Sequence, residues 1–254
     1  MRIQYLSDLH IEMMTIKQFK FICDKIVPQC ETLILAGDIC NPPLVTQNYQ
    51  RFLDIMSKKF DKIFLVTGNH EYYGNSISKT DEHITEICKT RKNISFLNNS
   101  TELYKGFRFV GATQWTKIHD PRYLINDFTC INDMNVRRYN DMHDESKNFL
   151  KTAINDAALN NEKCVVITHH LPLNELVLEK YKEPDMLKYN QCFSADMRDV
   201  FENKNSTIKS WFYGHTHTKS TQNIFGIKFL CNPIGYNGEN KLNEYNITID
   251  VDEK

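Results

Sequence analysis

Nine side chains able to bind a metal or carry a proton stand just behind short apolar runs. They are Asp8, His10, Asp38, Asn69, His70, His169, His170, His215 and His217, and they include six of the nine histidines in the chain. The clearest case is Trp211-Phe212-Tyr213 followed by Gly214-His215-Thr216-His217. An apolar run ending in glycine reads as a buried strand leaving into a tight turn. Residues two apart in an extended segment point to the same side, so His215 and His217 can share one pocket. The arrangement recurs upstream: Ile3–Leu6 before Ser7-Asp8-Leu9-His10, Leu33–Ala36 before Gly37-Asp38, Ile63–Val66 before Thr67-Gly68-Asn69-His70-Glu71, and Val165–Thr168 before His169-His170. Mixed carboxylate, imidazole and amide ligands suit divalent Mn, Fe or Zn. Two cations roughly 3.5–4 Å apart can clamp the attacking and leaving oxygens of a phosphoryl displacement. That spacing needs a bridging carboxylate.

The elements that must position these groups alternate at first. Residues 2–6, 32–36 and 62–67 read as strands. Helices are expected over 15–28, from Pro42-Pro43 to about Lys59, and over 78–90, each with apolar residues at helical spacing. This opening implies a parallel sheet with helices on its faces, whose sites lie at the strands' carboxyl ends. Short strands at 94–97, 101–104 and 107–111 read as a hairpin meander. Residues 112–140 read as a long loop or small insertion, 143–160 as a helix, 164–168 as a strand and 171–191 as an irregular lid. A short helix at 194–202 carries a Ser cap, and strands follow at 210–213, 221–225, 228–231 and 245–249. The whole, residues 1–254, reads as a single domain.

Bulk properties narrow the function. The formal net charge is −1, which gives no reason for general binding to nucleic acid or anionic membrane, and no basic patch is evident. No apolar run approaches a membrane span and no secretory leader is visible. The eight cysteines are scattered without a CxxC pair. They read as free thiols in a reducing compartment, which places the chain in the cytoplasm, and not as a zinc site.

Taken together, the order Asp-x-His, Gly-Asp, Gly-Asn-His-Glu, His and Gly-His-x-His, from Asp8 to His217, resembles the calcineurin-like metallophosphoesterase superfamily. Gly111–Thr116, Asn132-Asp133-Met134 and Cys231–Tyr236 look like a bacterial and phage-type subgroup of small stand-alone members. The resemblance implies an α/β fold in which two mixed β-sheets pack as a sandwich flanked by helices, in agreement with the parallel start and meander finish. It assigns one metal to Asp8, His10 and His217, and the other to Asn69, His169 and His215. Asp38 bridges both. It gives His70 the role of binding phosphate and protonating the leaving oxygen. The reaction implied is attack on a phosphodiester or phosphomonoester by a metal-bridging hydroxide, with two divalent ions as cofactors and Mn favoured. A small nucleotide-like molecule is the expected substrate. A nuclease or RNA-processing phosphodiesterase is the alternative, and a non-catalytic scaffold of the same fold a third reading.

Further residues could touch substrate. His170 is either a ligand in place of His169 or its support. Arg137 and Arg138 could meet a phosphate, as could His119 and His143, since arginine suits phosphate oxygens; the competing reading is a solvated face. Glu71 is either a partner of the ligands or a helix-start carboxylate. Tyr72, Tyr73, Trp115 and Tyr236 could line the site or sit in the core. Selectivity is expected to lie in 112–140 and 171–191.

Overall fold

Strands that must be covered on both faces are written almost without polar residues, and two here follow that rule. β2 (Thr32–Ala36) and β3 (Lys62–Val66) are buried along their whole length. In a computed structural model of the chain they lie side by side, parallel, in one of two sheets. The structure describes residues 1–236, 239 and 244–252, with the backbone alone for 42–46. In chain order the elements before the second sheet are β1 (Arg2–Leu6), α1 (Ile16–Lys25), β2, α2 (Pro42–Lys59), β3, α3 (Ile77–Lys89) and β4 (Ile94–Phe96). Then come β5 (Ser100–Tyr104), β6 (Phe107–Gly111), α4 (Asp127–Cys130), α5 (Val136–Leu159), β7 (Lys163–Ile167), α6 (Pro184–Leu187) and α7 (Arg198–Phe201). The chain continues through β8 (Ile208–Tyr213), β9 (Ser220–Ile224), β10 (Ile227–Cys231) and β11 (Thr248–Asp250).

The first sheet has the order β11-β1-β2-β3-β4 and the second β5-β6-β7-β8-β10-β9. Both are mixed, and together they form the expected α/β sandwich. Period-two alternation sorts the side chains between layers. Ile34, Ala36, Phe64 and Val66 face the other sheet, where Phe109, Val165, Ile167 and Phe212 meet them. Leu33, Leu35, Ile63 and Leu65 face outward and pack with residues of α1, α2 and α3. On the far side Val166, Trp211 and Phe229 pack with Leu150 and Ile154 of α5. Phe64 and Phe109 stack across the seam at 3.8 Å between ring centroids.

Four expectations are corrected. The meander at 94–111 is divided: β4 extends the first sheet beside β3, parallel, while β5 and β6 form an antiparallel hairpin in the second. That hairpin turns at Lys105 (φ 48) and Gly106 (φ 79), the left-handed pair that a two-residue turn requires. α5 starts at Val136 and not at 143, because the Asn135 side chain accepts from Arg138 N at 3.0 Å and caps it. Ser194 caps nothing; its Oγ donates to Asn174 Oδ1 at 2.8 Å, and α7 is a single turn beginning four residues later. The final strand is three residues, 248–250, and not 245–249. Residues 171–191 hold only single turns, at Asn174–Leu176, Glu179–Tyr181, α6 and Asn190–Cys192. All eight cysteines are free thiols, six of them buried. No helix among the described residues is long and apolar enough to cross a membrane.

Candidate metal centre

All the parallel strands that carry metal-type side chains release them at one rim. Asp8 and His10 follow β1, Asp38 follows β2, Asn69 and His70 follow β3, His169 and His170 follow β7, and His215 and His217 follow β8. The turns are sharp. Asp8 (φ 52), His10 (φ 48), Asp38 (φ 52), His215 (φ 69) and His217 (φ 47) all adopt left-handed backbone. Asp and His tolerate that region better than most residues, yet each such residue costs on the order of 1–3 kcal/mol. Hydrogen bonds between the turns hold it: Asp8 N donates to Gly37 O at 2.9 Å and His10 N to Asp38 O at 3.0 Å. Across the sheets, His215 N donates to both carboxylate oxygens of Asp8, at 2.9 and 3.1 Å.

The seven expected ligands fall into two groups around Asp38. In the first, His10 Nδ1 faces Glu12 Oε1 at 3.2 Å and His217 Nδ1 faces Glu239 Oε2 at 2.7 Å. Each Nδ1–H donates to its carboxylate, so each Nε2 carries a lone pair. Those two nitrogens stand 2.9 Å apart, with Asp8 Oδ1 at 3.5 Å from His217 Nε2. In the second group, His169 Nδ1 donates to Ala36 O at 3.0 Å, which turns its Nε2 toward the centre. That nitrogen meets Asn69 Oδ1 and His215 Nδ1 at 3.2 Å and Asp38 Oδ2 at 3.3 Å. Asn69 Nδ2 donates to Asp127 Oδ1 at 2.8 Å, which turns its oxygen toward the group. Asp38 Oδ2 also lies 3.8 Å from His10 Nε2, so one oxygen stands between the two groups. Lone pairs and carboxylates crowded this way repel unless positive charge lies among them. The donor set fits two divalent cations.

His70 stands at the edge of this centre. Its ring is 4.5 Å from that of His10 and 4.3 Å from that of Tyr73. Its Nδ1 faces Glu12 Oε1 at 3.2 Å and its Nε2 faces the Tyr236 hydroxyl at 3.3 Å. Burial alone would lower its pKa, but Asp38 and Glu12 outweigh burial and raise it to about 9. His169 is treated likewise: burial opposes, Asp38 prevails, and the ring rises to about 10. Burial would raise Asp38, yet the imidazoles of His169, His70 and His10 hold it well below the usual carboxylate range. Bound cations would satisfy the same carboxylate and oppose the upward shifts.

The other expectations are placed as follows. His170 is fully buried behind His215, with ring centroids 4.5 Å apart. Its Nδ1 bonds Thr113 O at 3.3 Å while its Nε2 has no partner, and burial and then His169 push its pKa down to about 3. It does not reach the cavity described below. Arg137 and Arg138 lie on the first turn of α5, outside that cavity, and Arg137 pairs with Asp141 at 3.9 Å. His143 is buried, its Nδ1 donating to Trp115 O at 2.6 Å, and His119 is exposed. Glu71 is fully buried and accepts N–H from Gly68, Asp38, Ile39 and Cys40, which ties the β2 and β3 turns together. Tyr72 and Trp115 pack in a core cluster, whereas Tyr73 and Tyr236 line the site. Glu12, Asp127 and Glu239 aim the expected ligands from behind; the sequence marks Asp127 only as part of the irregular stretch 112–140, and Glu12 and Glu239 not at all. Only Glu12, two residues past His10, had a spacing that could have drawn notice.

A cavity of about 460 Å³ opens over the rim. Asp38, Asn69, His70, His215 and His217 form its floor; Leu124–Asn126 and residues between Leu171 and Phe193 form its walls. Both irregular segments therefore border the site, where the sequence placed selectivity.

Comparison with known proteins agrees with this layout. The profile of the family described as calcineurin-like phosphoesterase matches residues 1–219. The chain is similar to protein L509 of Acanthamoeba polyphaga mimivirus, itself uncharacterised, at 30% identity over 277 aligned positions, covering 99% of this chain and 97% of that one. Among solved structures, phosphopantetheinyl hydrolase (PptH) from Mycobacterium tuberculosis superposes with a TM-score of 0.68 at 16% identity, covering 92% of this chain and 89% of its own. TT1561 of Thermus thermophilus superposes at 0.58 with 9% identity, covering 91% and 88%. At such identities the two structures carry the fold and nothing about substrate.

Proposed function

We propose an activity from one premise: the chain belongs to the calcineurin-like phosphoesterase family. The reading is a dinuclear metal-dependent phosphoester hydrolase acting on a small phosphodiester or phosphomonoester. The observation that carries it is the convergence of histidine nitrogens on Asp38 Oδ2 from both sides. Asp8, His10 and His217 would hold one divalent cation, Asn69, His169 and His215 the other, and Asp38 both. When bound, the cations, Mn by preference, supply Lewis acidity toward the phosphoryl oxygens and make water a stronger nucleophile.

The remaining work belongs to the chain. Glu12 Oε1 accepts a hydrogen bond from the His70 Nδ1–H, which leaves Nε2 facing the cavity. A proton on Nε2 passes to the leaving oxygen, which departs as an alcohol, and the ring recovers its proton from solvent. Glu12 stabilises the charged form of the ring before the transfer and after its recovery. Asp127 keeps the Asn69 oxygen aimed at the centre. The eight free thiols support a cytoplasmic setting.

The test is metal content and hydrolysis of p-nitrophenyl mono- and diesters by protein stripped and reloaded with Mn. Asp38→Ala is expected to lose bound Mn and to lower turnover by more than about a hundredfold, since both groups share that oxygen. Turnover close to wild type would sink the assignment. His70→Ala is expected to keep its Mn and to lose about 10²–10⁴-fold in rate. If the metal leaves with the ring, His70 is a ligand and not the acid.

A further inference from the structure

The walls of the cavity differ in chemistry from its floor, and the difference names a substrate class. Ile125, Val177, Tyr181, Met186, Tyr189 and Phe193 surround the space above the ligand groups. Phe193 lies with its ring 4.8 Å from that of His215, so apolar surface begins at the centre itself. Among the described lining residues there is no lysine or arginine. The nearby cations lie outside the lining, with Lys180 over the ring of Tyr181. Lys188 lies over the rings of Tyr123 and Tyr189, and Arg122 pairs with Asp120 at 2.6 Å. In the neighbouring cleft Lys117, Lys147 and Lys182 pair with Asp144, Asp199 and Glu179, at 2.6, 2.7 and 2.7 Å. Glu239 adds a negative group to the wall. A second phosphate, or a nucleic-acid backbone, would meet no lysine or arginine among the described lining residues.

Resting on the hydrolase reading above, we infer that the substrate is a phosphoester with a single phosphate and an uncharged apolar arm on the oxygen that faces residues 124–126 and 171–193. The floor takes the phosphate and the walls take the arm. Met186 is 40% exposed and Tyr236 39%, so apolar contact continues to the mouth. Each buried methylene of the arm strengthens binding by up to about fourfold.

The experiment uses the Mn-loaded protein and a series of p-nitrophenyl phosphodiesters whose second arm is methyl, butyl, hexyl, phenyl or 5-carboxypentyl. It is paired with calorimetric binding of methyl-, butyl- and hexylphosphonate. We expect kcat/KM and phosphonate affinity to climb from methyl to hexyl and the carboxypentyl ester to fall below the hexyl ester. Met186→Lys, in an exposed turn, should reverse that last preference. A flat series with measurable turnover, or a wild-type preference for the carboxylate arm, overturns the inference while the hydrolase reading stands. Phosphonates that bind more tightly with length, without turnover of any ester, uphold the ligand class and overturn the hydrolase reading.

Discussion

One carboxylate, Glu12, faces two histidines with a single oxygen, the expected ligand His10 and the proposed acid His70, at 3.2 Å each. A change at Glu12 is therefore expected to touch both proposed roles, metal binding and proton transfer. Such supporting carboxylates are hard to see in a sequence, because they have no spacing of their own; Asp127 and Glu239 come from loops far from the residues they aim. The candidate ligands are legible for the opposite reason: each stands just behind an apolar run. Away from the centre, Asp81 makes a residue-scale prediction. Burial raises its pKa to about 6, although Tyr72 donates to it at 2.8 Å. The folded state thus binds this proton more tightly than the unfolded chain. The stabilisation is full below the ordinary aspartate pKa and is lost as pH rises through about 6, by up to about 3 kcal/mol. Asp81→Asn should be at least as stable as wild type at pH 7.5, and its advantage should vanish toward pH 4. Urea unfolding of both proteins across that range checks the sign.

The turns between elements are as constrained as the ligands. A Cβ on Gly68 would stand 2.7 Å from the Asp38 backbone nitrogen and 2.7 Å from His169 Cε1. A Cβ on Gly214 would stand 2.8 Å from Ala36 O. These two glycines let the rims of the two sheets meet. Gly68→Ala is expected to cost about 1–3 kcal/mol by overpacking and to weaken Mn binding, because Asp38 and His169 must both shift. Thermal unfolding with and without Mn measures both, and an unchanged Mn affinity would show that the rim tolerates the spread. The same scale explains what sequence patterns left out. β4 and β5 read alike as short strands, yet they join different sheets, since β4 pairs with the distant β3 while β5 pairs with β6 across a two-residue turn. The first turns of α5 were hidden because Val136, Arg137 and Arg138 are partly or fully exposed, and only Tyr139 and His143 begin its buried face.

At the scale of the molecule, the seam between the sheets carries the geometry of the centre. Phe109, fully buried, stacks on Phe64 where the sheets meet. Phe109→Ala is expected to destabilise the protein by about 3–5 kcal/mol, with a lowered denaturant midpoint. A cost under about 1 kcal/mol would mean that the sheets close over the gap. The order of the first sheet has a further consequence. β1 lies between β2 and β11, so an early strand is covered on one edge by a late one. Asp8 and the backbone N–H of His215 that it accepts are 207 residues apart in the chain. A polypeptide leaving the ribosome therefore carries β1 with an open edge until residues 248–250 emerge, and such edges recruit other chains. Until then that edge needs a cover, which is the service a chaperone gives to a nascent chain. The rim that gathers Asp8 and His215 is completed late as well, so the groups that would hold metal come together only after most of the chain has been made.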